Sequence, residues 1–165
     1  MKRLAKNTLK VYFIGAGPGD LELLTIKALK IIRKADIVIY AGSLVNRGVL
    51  EFAKKTAVSY DSAKMTLEEV LGVIKKEKST KKIIARLHTG DPSLYGAIQE
   101  QMDWCEKEKI DYEVIPGVSS FQAAAASLRQ EFTLPGVSQT VLLTRLSGRT
   151  KVPPKEDLAK LAKIR

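Results

Sequence analysis

Short apolar runs alternate along this chain with longer stretches in which apolar residues recur every three or four positions. Residues 11–14, 37–40, 57–60, 83–87, 112–115 and 140–144 are the apolar runs, and they predict strands. The stretches between them predict helices over 25–34, 44–54, 67–77, 96–107 and the alanine-rich 119–128. In the first of these, Ile26, Leu29 and Ile32 share a row; in the fourth, Ile98, Met102 and Cys105 form the core-facing row. Thr66 and Glu69 have the spacing of a capping box that opens the third helix. Strands alternating with helices imply crossover connections. The fold class expected is therefore α/β, with a mainly parallel sheet of about five strands and helices on both faces.

Three of the strands stop abruptly at glycine-rich loops. The first loop is 15–20, with Gly15, Gly17, Pro18 and Asp20. The second is 89–96, containing Thr89, Gly90, Asp91 and Pro92, and the third is 116–120, ending in Ser119 and Ser120. In an open α/β sheet such loops gather at the carboxyl edge, where ligands bind, and glycine lets the backbone itself approach the ligand. A dinucleotide fits poorly. Gly15 and Gly17 begin a G-x-G-x-x-G pattern, but its sixth position is Asp20, where close helix packing wants Gly or Ala. Pro18 also removes an N–H from the turn. The second strand ends in Ala41 and Gly42, without an acid for a ribose hydroxyl, and no Gly-Lys-Ser/Thr completes a phosphate loop.

Composition narrows the picture further. The hydrophobic fraction of 45% over 165 residues suits one globular domain, extending over 1–150. The proline-rich, charged stretch 151–155 then reads as a linker, and 156–164 as a helix that begins a second domain or, alternatively, folds back on its own sheet. A single cysteine, Cys105, excludes an internal disulfide and a cysteine zinc cluster; no metal site is expected. No apolar run is long enough to span a bilayer, and the basic amino terminus lacks the apolar core of a signal peptide, so a cytoplasmic protein without a membrane is expected. The net charge of +10 favours an anionic partner. Aromatic residues make up only 6% and are not interleaved with basic ones, which argues for a carboxylate-rich small molecule over nucleic acid.

The three loops, in this order and each after a strand, resemble those of the tetrapyrrole methylases, which methylate carbons of corrin and sirohaem precursors using S-adenosylmethionine. Residues 40–45, 60–63 with 65–69, 86–92, and 139–145 with 148–150 look like the branch that acts on precorrin-4, or cobalt-precorrin-4, at C11. The sirohaem branch carries an aspartate after the tyrosine of the second strand, and here that position is Ala41. The resemblance implies the N-terminal domain of a two-domain methyltransferase of cobalamin biosynthesis, acting as a homodimer on an anionic tetrapyrrole. It implies S-adenosylmethionine beside Pro18, Thr89, Gly90, Asp91, Leu94, Ser119 and Ser120. No general base is assigned, because displacement at a sulfonium needs alignment more than a strong base.

Residues with weaker indications are Gly15, Gly17, Tyr40, His88, Tyr95 and Arg145, as substrate contacts. His88, the single histidine, reads first as a buried packing residue, with substrate contact or proton handling as the alternative. Arg145 and Arg149 could pair with substrate carboxylates or be solvated; Tyr40 and Tyr95 could line a trough or belong to the core. The competing functions are a half-domain that binds a ligand or dimerises without catalysis, and a methylase for another precorrin.

Overall fold

A computed structural model of the protein describes residues 8–148 and 151–163. It divides into two compact units, Met1–Ala124 and Ala125–Arg165.

The first unit is built on five parallel strands: β1 (Lys10–Gly15), β2 (Ile37–Tyr40), β3 (Val58–Asp61), β4 (Ile83–His88) and β5 (Asp111–Ile115). Their order across the sheet is β3-β2-β4-β1-β5. Helix α1 (Ile26–Ile32) covers one face, in a core with Ile14, Val38, Ala85 and Leu87. Helices α2 (Leu67–Lys76) and α3 (Gln99–Glu108) cover the other, over Val11, Phe13, Ile39 and Ile84. The expected α/β sheet with helices on both faces is thus present. The connection leaving β1 runs to one face through α1 and that leaving the adjacent β4 to the opposite face through α3. Their carboxyl ends therefore flank a topological switch point, the place where open sheets form a crevice.

Local chemistry explains the helix boundaries. Thr25 Oγ1 accepts from Ala28 N at 3.1 Å and starts α1. Thr66 and Glu69 form the expected capping box on α2. Lys109 closes α3 in the left-handed region. The α3 row is as expected: Ile98 and Cys105 are buried, with Met102 packed against them, and burial pushes the Cys105 thiol up to about 11.

Several details differ from expectation. The buried face of α1 runs through Ala28 and Ile32, and Ile26 is 72% exposed. The helix presses the small Ala28 together with Ile32 against the sheet. The stretch 44–54 makes a 3-10 helix at Arg47–Phe52 instead of an α-helix.

The second unit continues helix α4 (Ser120–Leu128), which begins in the first. A tight turn at Gly136, φ +73°, is closed by a Leu134–Ser138 bridge, and α5 (Leu158–Leu161) is capped by Asp157. The expected strand 140–144 is not formed. Val141, Leu142 and Leu143 have strand-like composition but no ladder partner among the described residues, and a strand exists only through its partner's hydrogen bonds. The expected helix 156–164 is reduced to α5, and Ile164 lies outside the described residues.

Candidate functional site

The loop after β1 and the loop after β4 meet at the switch point. Gly17 N donates to Gly90 O at 3.3 Å and Gly90 N to Gly17 O at 2.8 Å, an isolated antiparallel bridge beyond the parallel strands. Ala16 N donates to His88 O at 2.8 Å just before it. Gly90 sits at φ +60°, a conformation an L-residue enters only with strain. The third loop locks onto the other two at close range. A Cβ on Gly15 would lie 2.5 Å from Gly90 O and 2.6 Å from Gly117 N, so only glycine permits this approach.

Asp91 holds the second loop to the third. Its Oδ1 accepts from Ser93 N at 2.8 Å, and its Oδ2 accepts from Gly117 N at 3.0 Å. Asp91 thus caps the turn at Ser93 and also clamps across to Gly117. Ser119 is buried, with its N–H donating to Gln122 Oε1, while Ser120 opens α4 in an exposed position. Thr89 and Leu94 are exposed beside the bridge, and Pro18 lies half-buried between Gly17 and Gly19, both at positive φ.

All seven residues assigned to the cofactor therefore belong to three interlocked loops at one sheet edge. Thr89 and Ser120 offer hydroxyls, and Leu94 and Pro18 apolar surface, that could meet a small ligand at this edge. His88, directly before Thr89, supplies an unused group. It is 7% exposed, and its Nε2 is buried with no hydrogen-bond partner among the described residues. Burial, reinforced by the positive charge of Arg86, holds the imidazole down to about 3, against the opposing effect of a hydrogen bond with the Gly96 backbone. The ring is neutral at physiological pH.

The weaker candidates separate. Gly15 and Gly17 are in the interlock. Tyr40 is buried in the α1-side core. Tyr95 is 64% exposed and adopts φ +58° in the loop after β4. Arg145 belongs to the second unit, where its Nη1 donates to Leu146 O at 3.3 Å. Arg149 lies outside the described residues.

The sequence reading missed two groups that build this edge. Asn46 Nδ2 donates to Gly19 O at 2.8 Å, tying the loop after β2 to the first glycine loop. Asp61 Oδ1 accepts from Gly42 N at 2.9 Å and from Ala63 N at 3.0 Å, and its Oδ2 accepts from Arg47. The Ala63 and Gly42 N–H groups, with Arg47, hold this carboxyl below the usual range. Its position as the last residue of β3, opening a turn, was the available signal. A Cβ on Gly42 would lie 2.2 Å from Asp61 Oδ2, so a larger residue there would displace the Asp61 carboxylate.

Comparison with known proteins identifies this architecture. The family model for Tetrapyrrole (Corrin/Porphyrin) Methylases matches residues 10–164. The chain is 59% identical over 157 residues to a cobalt-precorrin-4 C(11)-methyltransferase of Methanocaldococcus jannaschii, covering 95% of this chain and 61% of that protein. It is 45% identical over 157 residues to a precorrin-4 C(11)-methyltransferase of Pseudomonas aeruginosa, covering 95% of this chain and 62% of that one. The X-ray structure of a cobalt precorrin-4 methyltransferase superposes with a TM-score of 0.88 at 48% identity, over 93% of this chain and 64% of that one. A uroporphyrin-III C-methyl transferase of Thermus thermophilus, complexed with S-adenyl homocysteine, gives a TM-score of 0.64 at 30% identity, over 79% and 53%. The chain thus spans about three fifths of the length of the curated relatives it matches.

Proposed function

The chain belongs to the tetrapyrrole methylases, and from that premise we propose that it forms the N-terminal domain, 1–150 with a following linker, of an S-adenosylmethionine-dependent methyltransferase acting at C11 of precorrin-4 or its cobalt form. The likeness to proteins of that name over nearly the whole chain carries the reading. The interlocked loops support it by offering a rigid backbone edge instead of a charged catalytic group.

S-adenosylmethionine supplies an activated methyl group on a sulfonium. The residues that would hold it are Pro18, Thr89, Gly90, Asp91, Leu94, Ser119 and Ser120. Their contribution is alignment: in-line displacement requires the reacting atoms about 3–3.5 Å apart, and loops bonded to one another move little. The Gly17–Gly90 bridge and the Asp91–Gly117 clamp restrict that movement. Neutral His88 presents no positive charge to compete with a sulfonium. The protein in this reading works in the cytoplasm as a homodimer. No helix among the described residues is long and apolar enough to cross a membrane.

Calorimetry with S-adenosylhomocysteine, together with transfer of a labelled methyl group to cobalt-precorrin-4, tests the proposal. Binding plus transfer to C11 is expected for the protein carrying the full length of its relatives. Transfer to a different precorrin carbon would refute the substrate assignment. Binding without any transfer would favour the ligand-binding half-domain instead.

A further inference from the structure

Arg86 is a charged residue in the middle of an apolar central strand. Ile84, two residues earlier, packs in the α2/α3 core, so Arg86 faces that same side. Its Nη1 donates to Ser62 Oγ at 2.8 Å and its Nε to Gln101 Oε1 at 3.4 Å. Both acceptors are neutral. The ion pairs among the described residues involve Lys10, Lys27, Arg47, Lys54, Lys78 and Lys82, and none reaches Arg86. Nη2 has no hydrogen-bond partner among these residues, yet it is not sealed from solvent. Burial brings the guanidinium down to about 10, which leaves it charged at neutral pH.

A cavity of about 220 Å³ adjoins this group, lined by Arg86 with Ser62, Met65, Val70, Ala97 and Gln101. Ser62 directly follows β3, and Ala97 lies in the connection after β4, so the cavity opens on the same carboxyl edge as the glycine loops. A largely buried charge facing only neutral dipoles is costly, and a structural arginine in such a place normally has a carboxylate partner. The cavity is smaller than the roughly 300–1,000 Å³ that encloses a whole organic ligand. It suits one arm of a larger molecule.

We propose that this cavity is a carboxylate subsite, in which Arg86 receives one acidic arm of the polycarboxylate macrocycle; the assignment rests on the methyltransferase reading above. The arm's oxygens would meet Nη2 while Ser62 and Gln101 keep the guanidinium oriented. Exposed Glu100 also lines the cavity and opposes an entering anion, but solvent screens it more than it screens Arg86. Glu100 therefore tunes the affinity downward without abolishing it.

The test titrates the chain with cobyrinic acid, a corrin polycarboxylate, and with its methyl ester, following the Arg86 Nε–H signal by NMR. The acid should shift that signal and the ester should not. This measurement on the unmodified chain does not depend on any variant folding. Arg86→Gln should weaken binding of the acid by about tenfold or more, the loss of one charged hydrogen bond, and leave S-adenosylhomocysteine affinity unchanged. Glu100→Gln should tighten it. An Arg86 signal that stays still at saturating acid, or equal affinity in Arg86→Gln, overturns the subsite. A shift caused by inorganic phosphate but not by cobyrinic acid overturns it in favour of a phosphate ligand. Failure of the unmodified protein to bind S-adenosylhomocysteine would count against the methyltransferase reading alone, because the Arg86 response to acid is read separately.

Discussion

The two faces of β4 are built on opposite principles. On the α1 side, Ala85 and Leu87 are fully buried in an all-apolar core. On the α2/α3 side, the same strand offers Ile84, then Arg86, then His88. A central parallel strand covered on both faces is normally apolar throughout, and only the α1 side obeys that rule. The departures begin toward the carboxyl end, where open sheets bind ligands. They also resolve differently. Desolvation opposes both charges, but the strongly basic guanidinium comes down only to about 10 and keeps its proton, whereas the imidazole beside Arg86 falls to about 3 and loses it. The polar face therefore presents one permanent cation and one neutral ring.

The largest test of this contrast is Leu87→Ala on the apolar side. Truncating a fully buried leucine between close-packed neighbours should cost about 2–5 kcal/mol, measured by urea denaturation. A loss below about 1 kcal/mol would mean that this face is loosely packed and that the contrast is false.

His88 sharpens the other side through pH. Its folded-state value is lowered, so the unfolded chain takes up the proton first as pH falls below 6.5. The stability contribution is complete above pH 6.5 and is lost progressively toward pH 3. The slope is about 1.4 kcal/mol per pH unit, or about 2 kcal/mol between pH 6.5 and pH 5. His88→Leu should remove that loss in urea titrations at the two pH values. Parallel curves for the two proteins would show that the ring is not held neutral.

The smallest effect on stability is expected at Asp91. Asp91→Asn keeps one acceptor oxygen and gives up either the Ser93 cap or the Gly117 clamp, a cost of about 1 kcal/mol. S-adenosylhomocysteine binding should weaken by more than this loss accounts for, as compared by calorimetry and melting on the same sample. Unchanged binding in the folded variant would leave Asp91 as a clamp between loops and nothing more.

The strand-helix alternation, the three glycine loops and their common edge were legible in the sequence, because period and punctuation are local properties. Residues 11–14 and 83–87 read as strands and are strands, each one residue longer at both ends or at the carboxyl end. The segment 140–144 has the same apolar signature and forms no strand, because its composition could not say whether a hydrogen-bonding partner would be there. Tyr40 could be read as trough or core and is core, since the side on which a strand residue falls depends on which helix covers it.

What the chain alone determined, then, is where glycine must stand and which runs are apolar enough to become a sheet. What only the folded molecule decided is what those glycines touch. Gly15, Gly90 and Gly117 are separated by tens of residues, and their contacts at less than van der Waals distance from any added Cβ exist only once the strand order β4-β1-β5 sets their loops side by side. The same order put Arg86 against Ser62 and Gln101 without a counter-charge. Sequence spacing carries the chemistry of each residue, but long-range pairing chooses its neighbours, and the neighbours set both the clash and the charge.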